Sequence, residues 1–188
     1  MTTLRQAVLE RARVDGDLLM VDEFLNHRVE LGIVDSAARD LVDRYAGSDI
    51  DLVLTAEASG IAPAIFCGAA LQVPVVYAKK YLGIGDRYAL SRTITSPTRG
   101  TEYRVEVSRR AISPAERVLV VDDFLSGGRT AAALGEITTE AGADVVGFGF
   151  LIEKATLGGR QRLEQRSWRV ESVVTITSLG EGRFEVAP

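Results

Sequence analysis

The chain has 188 residues, 46% of them hydrophobic and 26% charged, and a net charge of -4, which is ordinary for one globular domain with its own core. Its longest apolar run, residues 145–152, contains two glycines and is far shorter than the roughly 20 residues a membrane helix needs, and the N-terminus has no apolar signal core. One cysteine and one histidine exclude an internal disulfide and leave zinc, haem and Cys/His nucleophile chemistry without the residues they require.

The predicted elements alternate between helices and strands. Apolar residues recur with helical spacing from Leu4 to Ala12 and again from Ile33 to Tyr45, which predicts two amphipathic helices. Short β-branched runs then alternate with segments of helical composition, which predicts a largely parallel sheet covered by helices on both faces. The strands are predicted at residues 50–55, 73–78, 118–121, 144–152 and 170–176, with helices at 61–71 and 129–141, the last ending at Gly142.

Charge is distributed unevenly along this pattern. The first 50 residues hold ten acids against six arginines, whereas residues 79–110 hold eight cations against three acids. The basic segment indicates either an anion site or a solvated loop. Within it, residues 81–101 are rich in Gly, Ser and Thr and contain Pro97, which predicts a mobile loop with a short hairpin. The three lysines each end an apolar run, where α/β proteins place ligand groups; they are Lys79, Lys80 and Lys154.

The most informative segment is VLVVDDFLSGGRT, residues 118–130. A buried strand is followed by two acids that point to different sides, and then by a small-residue turn that leads into a helix. Backbone N–H groups and two hydroxyls at that helix N-terminus form a phosphate cradle. The alternative for a lone Gly-Gly is an ordinary turn with solvated acids. Paired acids beside an anion cradle favour a ligand with both a phosphate and sugar hydroxyls or a magnesium ion.

This segment resembles the phosphoribosyl-pyrophosphate signature of type I phosphoribosyltransferases. VDEFLNH, EASGIAPA, PVVYAKK, TSPTRGTEYRVEVS and IEKA extend the resemblance, in order, to the xanthine-specific bacterial branch of that family. The resemblance implies an α/β fold, a mainly parallel sheet flanked by helices, in one domain over residues 1–188. A small hood would come from about residues 1–35, and a flexible loop from about residues 81–103.

The resemblance also implies a reaction, in which a purine displaces pyrophosphate from magnesium-bound phosphoribosyl pyrophosphate. Asp122 and Asp123 would hold the ribose hydroxyls, and Lys79 and Lys80 would act near the pyrophosphate. No side chain is assigned as a direct metal ligand. The residues expected around the 5-phosphate are Ser126, Gly127, Gly128, Arg129 and Thr130. The pyrophosphate loop, which in the family often contains a non-proline cis peptide, would be Glu57, Ala58, Ser59 and Gly60.

For the purine, the resemblance implies contacts from Leu19 and Asn26 in the hood and from Lys154. An ammonium group has only donors, so Lys154 suits a 6-oxo purine and disfavours adenine. Asn26 could present either its oxygen or its nitrogen at the 2-position of the purine, so the choice between xanthine and guanine is left open. Leu19 could equally be an ordinary core residue. Relatives specific for hypoxanthine and guanine usually carry an Asp where Ser126 stands, and a serine is a poor base, so the general base is left open.

Two other functions compete with xanthine transfer. One is a hypoxanthine-guanine or adenine phosphoribosyltransferase. The other is a regulator that senses phosphoribosyl pyrophosphate on the same fold and binds nucleic acid, which would need a basic winged-helix segment or a basic face. The acidic N-terminal end argues against the regulator. We therefore expect small-molecule substrates, no nucleic-acid or membrane partner, a cytoplasmic location and, from the family only, a homodimer.

Overall fold

The computed structural model describes residues 2–81, 88–95 and 102–188. The helices of these residues are α1 (Leu4–Arg11), α2 (Leu31–Asp43), α3 (Ile61–Leu71), α4 (Arg129–Glu140) and α5 (Gly159–Glu164). The strands are β1 (Arg13–Asp15), β2 (Leu18–Met20), β3 (Leu52–Ala56), β4 (Val75–Tyr81), β5 (Ala89–Thr95), β6 (Glu102–Ser108), β7 (Arg117–Leu125), β8 (Asp144–Lys154), β9 (Val170–Gly180) and β10 (Arg183–Val186). Among the described residues, no helix combines the length and hydropathy needed to span a bilayer.

Eight of the strands form one mixed sheet in the order β10-β9-β8-β7-β3-β4-β6-β5. The five in the middle, from β9 to β4, run parallel, and antiparallel strands close both edges. This confirms the predicted α/β class and its mainly parallel sheet. The carboxyl ends of the parallel strands share one edge of the sheet, where open α/β sheets bind their ligands.

The predicted central strand is buried on both faces. Leu119 and Val121 belong to one core cluster, with α1, α2 and α3, while Val118 and Val120 belong to the other, with α4 and α5. A strand that packs helices on both sides has no polar face, which explains its continuous apolar run. β7 extends further than predicted, through both acids to Leu125. The acids are therefore held by the strand itself rather than by a flexible turn after it.

Two regions of the chain differ from the prediction in detail. The short hairpin expected within residues 81–101 is present, but it pairs Ala89–Thr95 with Glu102–Ser108 and forms the edge of the main sheet. The mobile loop expected there falls on residues 82–87 and 96–101, which include Pro97 and lie outside the described residues. Near the N-terminus, a two-stranded hairpin and one π-helical turn, Asp22–Asn26, were not predicted. Segments this short carry no readable periodicity.

Two helical glycines give a matched test of core packing. A Cβ at Gly135 in α4 would lie 2.6 Å from the Trp168 ring and 2.9 Å from Phe148, whereas one at Gly32 in α2 would meet nothing within 4 Å. We expect Gly135→Ala to lower the free energy of unfolding by about 1–3 kcal/mol through overpacking. Gly32→Ala should raise it by up to about 1 kcal/mol, the helix-propensity difference. Urea denaturation of both variants measures this, and equal shifts would contradict the packing argument.

Candidate active site

A cavity of about 690 Å³ lies at the carboxyl ends of β7 and β8. Asp122 and the whole of residues 126–130 line it, as does Lys154, the last residue of β8. Because β7 and β8 are parallel neighbours, their carboxyl ends, Leu125 and Lys154, lie close together although they are far apart in the sequence. The structure thus brings the predicted phosphate cradle, one of the two acids and the predicted purine lysine into one cavity.

The two acids of β7 have different surroundings. Asp123 is buried and accepts hydrogen bonds from Ser59 Oγ at 3.0 Å and Asn26 Nδ2 at 3.3 Å. Asp122 faces the cavity, and its Oδ1 accepts the backbone N–H of Asp123 at 2.9 Å. The expectation that neighbouring acids point to different sides is confirmed. One carboxylate is a fixed support for the surrounding loops, and the other is available to a ligand.

Charge repulsion is built into this pair of acids. Burial, and next the Asp123 carboxylate, raise the pKa of Asp122 well above its usual range, and Lys80 partly opposes the rise. The charged form of such a carboxyl group is stabilised by any ligand that supplies hydrogen-bond donors or positive charge. Perturbed carboxyl groups in a cavity are characteristic of functional sites.

Residues 57–60 lie directly against this pair. The Glu57–Ala58 peptide is cis, as the resemblance implied. Glu57 Oε1 accepts the backbone N–H of Lys80 at 2.8 Å, and the Glu57 N–H donates to Ala78 O at 3.0 Å. A Cβ on Gly60 would lie only 2.4 Å from Asp122 Oδ1. The loop is therefore hydrogen-bonded to β4 on one side and packs closely against Asp122 on the other.

The turn at residues 126–130 has the geometry of an anion cradle. Gly128 has a left-handed φ of +69°, which a side chain would disfavour, and α4 begins at the next residue. The first N–H groups of α4 have no partner within the helix, and the residues that carry them, Arg129 to Ala131, line the cavity at the positive end of the helix dipole. Thr130 Oγ1 lies 2.9 Å from the hydroxyl of Tyr103, on β6. The edge hairpin thereby contacts the cradle.

The far end of the cavity is largely apolar around one cation. Lys154 is 9% exposed, and its Nζ lies 5.4 Å from the centroid of the Phe124 ring. Desolvation lowers the pKa of Lys154, while Asp17 of the N-terminal hairpin opposes the change. Leu18 and Leu157 also line this end. A flat, mostly apolar ligand with one or more acceptors would fit here.

Leu19 and Asn26, expected at the purine, are not among the residues that line the cavity. Strand alternation buries Leu19 to 6% exposure in the core, and its neighbour Leu18 lines the cavity instead. Leu19 is therefore a core residue, the alternative that the sequence left open. The Asn26 side chain donates a hydrogen bond to Asp123, and neither residue lines the cavity.

Lys79 and Lys80, both expected near the pyrophosphate, lie on different sides of β4. Lys80 acts on Asp122, and its Nζ lies 5.9 Å from the Tyr103 ring centroid. Lys79 lines a separate depression of about 340 Å³ with Tyr77 and Tyr81. Adjacent residues of a strand face opposite sides of the sheet. The structure therefore brings Lys80 to the cluster and leaves Lys79 outside it.

Several residues of the site were missed by sequence reasoning. Tyr103 and Arg162 contact the cradle from elements far away in sequence, and Asp17 and Leu18 come from a hairpin too short to be read. Arg162 Nε donates to Gly127 O at 2.7 Å. Thr156 and Leu157 line the cavity directly after Lys154. Only these last two carried a usable signal, since they follow a residue already identified at a strand end.

Comparison with known proteins gives the same reading of the motif. Residues 20–178 match the phosphoribosyl transferase domain family. The chain is similar to xanthine phosphoribosyltransferase of Laribacter hongkongensis, with 39% identity over 97% of this chain and 98% of the relative. It is also similar to the proteins of that name from Alkaliphilus metalliredigens, with 38% identity over 96% of this chain and 91% of the relative, and Pseudomonas fluorescens, with 40% identity over 97% of both.

Solved structures confirm the fold. The structure is similar to an adenine phosphoribosyltransferase from Thermoanaerobacter pseudethanolicus, with a TM-score of 0.77 and 23% identity over 92% of this chain and 99% of that chain. A second such structure, from Rhodothermus marinus, has a TM-score of 0.76 and 23% identity over 92% of this chain and 98% of that chain. At this identity the likeness concerns the architecture and carries no information about the purine.

Proposed function

The chain belongs to the phosphoribosyltransferase family, and from that premise we propose that it is a purine-salvage enzyme that transfers the phosphoribosyl group to xanthine. Xanthine and phosphoribosyl pyrophosphate give xanthosine 5'-monophosphate and pyrophosphate. One observation carries the proposal: the Asp122 carboxylate, the cradle at residues 126–130 and the Lys154 ammonium line a single cavity. Relatives that match nearly the whole chain and bear the xanthine name support the choice of purine.

In this reaction the C1 carbon of the ribose loses pyrophosphate before the purine nitrogen bonds to it fully. Positive charge then develops on the ribose and negative charge on the leaving group. Asp122 offsets the first and binds ribose hydroxyls, while Lys80, on the same side as Asp122, stabilises the second. Residues 126–130 hold the 5-phosphate, with Arg129 and Thr130 at the helix N-terminus. Residues 57–60 receive the pyrophosphate.

Magnesium fits this site as an ion delivered by the substrate. The described residues contain no cluster of three or more His, Cys, Asp or Glu side chains arranged for a metal. Mg²⁺ commonly binds through one or two carboxylates plus substrate phosphates, and Asp122 is the carboxylate that lines the cavity beside the cradle. Bound with phosphoribosyl pyrophosphate, the ion would neutralise charge on the departing pyrophosphate.

The purine lies at the apolar end of the cavity, under a hood formed by the N-terminal hairpin. Lys154 donates to the 6-oxo group, and the Phe124 ring, 5.4 Å from its Nζ, offers a flat surface for the base. The amino group of adenine would leave this ammonium without an acceptor. Ser126 is a poor base, so the purine proton passes to water or to another group of the site.

Lys154→Met should act on purine binding more than on the ribose end. The methionine keeps most of the apolar length but removes the donor, so the KM for xanthine should rise about 10- to 100-fold, the loss of one hydrogen bond to a charged group. The KM for phosphoribosyl pyrophosphate should change less than about threefold, since the cradle binds it through other groups. Steady-state kinetics with each substrate varied in turn measures both. An unchanged xanthine KM with a raised phosphoribosyl-pyrophosphate KM would contradict the assignment.

Turnover of four purines tests the function itself. Xanthine, guanine, hypoxanthine and adenine are compared with phosphoribosyl pyrophosphate and Mg²⁺, and the nucleotide is identified by its absorbance spectrum and mass. The highest kcat/KM is expected for xanthine and the lowest for adenine. Guanine or adenine at the top of the series would overturn the choice of purine. Retention of the protein on DNA or RNA that weakens with salt would instead favour the regulator.

We also propose a homodimer in the cytoplasm. Tyr77 and Tyr81 are 47% and 41% exposed and flank Lys79 on one side of β4, and exposed apolar side chains of this kind are common at subunit interfaces. The one cysteine, Cys67, is a free thiol buried in the core, which fits a reducing compartment. Light scattering coupled to gel filtration tests the dimer, and Tyr77→Glu should dissociate it. A monomeric wild type would overturn the proposal.

A further inference from the structure

A buried ion pair lies directly behind the purine end of the cavity. Glu153, the residue before Lys154, is only 2% exposed. Its carboxylate accepts from Arg160 Nε at 2.9 Å, from Arg160 Nη2 at 2.6 Å and from Ser172 Oγ at 2.7 Å. Arg160 Nη1 also donates to Val170 O at 2.8 Å. A buried carboxylate with this many donors has essentially one position available to it.

Helix α5, which carries Arg160, is fastened on two sides. Arg160 ties it to Glu153 at the end of β8, and Arg162, two residues later, donates to Gly127 O within the phosphate cradle. One short helix therefore contacts the purine end through one arginine and the phosphate end through the other. α5 has only six residues, so its position depends on these contacts rather than on its own stability.

The connection between Lys154 and α5 contacts both ends of the cavity as well. Thr156 and Leu157 line the cavity. Gly159 packs so closely on the cradle that a Cβ there would lie 2.1 Å from Ser126 O. Gly158 has a φ of +71°, which closes the turn. A displacement of this segment would move Lys154 at one end and the cradle at the other.

From these contacts we propose that Arg160 and Arg162 are positioning residues with separate targets. Arg160, through Glu153, fixes Lys154 against the purine. Arg162, through Gly127, fixes the cradle against the 5-phosphate. The inference rests on the proposed function for the identity of the two ligands. It adds that two arginines of α5 set the affinities for the two substrates separately: Arg160 from behind Lys154, and Arg162 from the wall of the cavity beside the cradle.

Arginine-to-lysine substitution separates positioning from simple stability. A lysine keeps the positive charge, but it cannot form the two-nitrogen fork of Arg160 on Glu153. It also lacks the N–H that Arg162 Nε donates to Gly127 O at 2.7 Å. Arg160→Lys should raise the KM for the purine that the wild type turns over fastest by about tenfold, and the KM for phosphoribosyl pyrophosphate by less than about threefold. Arg162→Lys should give the reverse pattern. Arg39→Lys is the control, because Arg39 forms an exposed pair with Asp35 within α2.

A merely structural role could not make one variant raise only the purine KM and the other raise only the KM for phosphoribosyl pyrophosphate. Equal rises in both KM values for each variant, no rise in either, or effects that follow the melting temperature would overturn the inference. If Arg160→Lys does not fold, Ser172→Ala replaces it, since it removes one donor to Glu153 and keeps the ion pair. It should raise the purine KM alone, and an unchanged purine KM would overturn the role of Glu153. A wild type that turns over no purine would instead overturn the proposed function, together with this inference.

Discussion

Asp122→Asn is expected to lower kcat for xanthosine monophosphate formation by about 10²- to 10³-fold, the usual cost of removing one preorganised electrostatic partner of a transition state. Asparagine has the same shape as aspartate, and its oxygen can still accept the Asp123 N–H now bonded at 2.9 Å. The fold should therefore survive. What is lost is the negative charge that faces the developing positive charge on the ribose.

The same substitution should stabilise the protein without ligand. Burial and the Asp123 carboxylate raise the pKa of Asp122 in the folded state above the unfolded value of about 3.9. The folded protein then binds this proton more tightly, so its stability falls as pH rises through the folded pKa and recovers as pH falls toward the unfolded one. The asparagine variant does not titrate at this position. Its melting temperature should exceed that of the wild type at pH 8, with a gap that narrows toward about pH 4.

Kinetics and thermal melts over this pH range test both expectations. Asp35→Asn is the matched control, because Asp35 lies on the surface of α2 beside Arg39 and should change neither measurement appreciably. Near-normal turnover of Asp122→Asn would remove Asp122 from the mechanism. A variant that is less stable than the wild type at pH 8 would instead show that the Asp123 N–H and Lys80 stabilise the Asp122 carboxylate more than burial and the Asp123 carboxylate destabilise it.

The sequence predicted the parts of the site that are contiguous along the chain. In VLVVDDFLSGGRT, the strand, the acids and the helix N-terminus follow one another, so local rules for strand ends and glycine turns apply directly. Gly128, with its φ of +69°, lies in the turn that these rules predict, and Asp122 lines the cavity at the end of the strand. The parallel core was equally accessible, because strands buried on both faces read as continuous apolar runs.

Residues whose role depends on the face of a short element could not be read in the same way. The sequence YAKK at the end of β4 does not reveal that Lys80 approaches Asp122 while Lys79 turns away, since that depends on the register of β4 against its neighbours. The same ambiguity explains why Leu19 was expected at the ligand although Leu18 lines the cavity. A one-residue shift moves every side chain of a strand to the opposite face. Tyr103 reaches the cradle only through the antiparallel pairing of β4 with β6.

Gly60→Ala should disable the enzyme by steric means alone. The backbone of Gly60 has a right-handed helical conformation that alanine accepts, but an added Cβ would lie 2.3 Å from Thr55 Oγ1 and 2.4 Å from Asp122 Oδ1. Either the loop at residues 57–60 or the carboxylate must shift. We expect kcat/KM for phosphoribosyl pyrophosphate to fall about 100-fold, the effect of a displacement near 1 Å at reacting groups. Overpacking should also lower the free energy of unfolding by about 1–3 kcal/mol.

A second substitution separates these two effects. Thr55 is fully buried, and its hydroxyl has no hydrogen-bond partner among the residues the structure describes, so Thr55→Ala breaks no such bond there. Combined with Gly60→Ala, it removes one of the two close contacts and should recover part of the lost stability. Activity should stay low, because the contact with Asp122 persists. Full recovery of kcat/KM in the double variant would show that the loss came from the core at Thr55 and that the position of Asp122 tolerates the displacement.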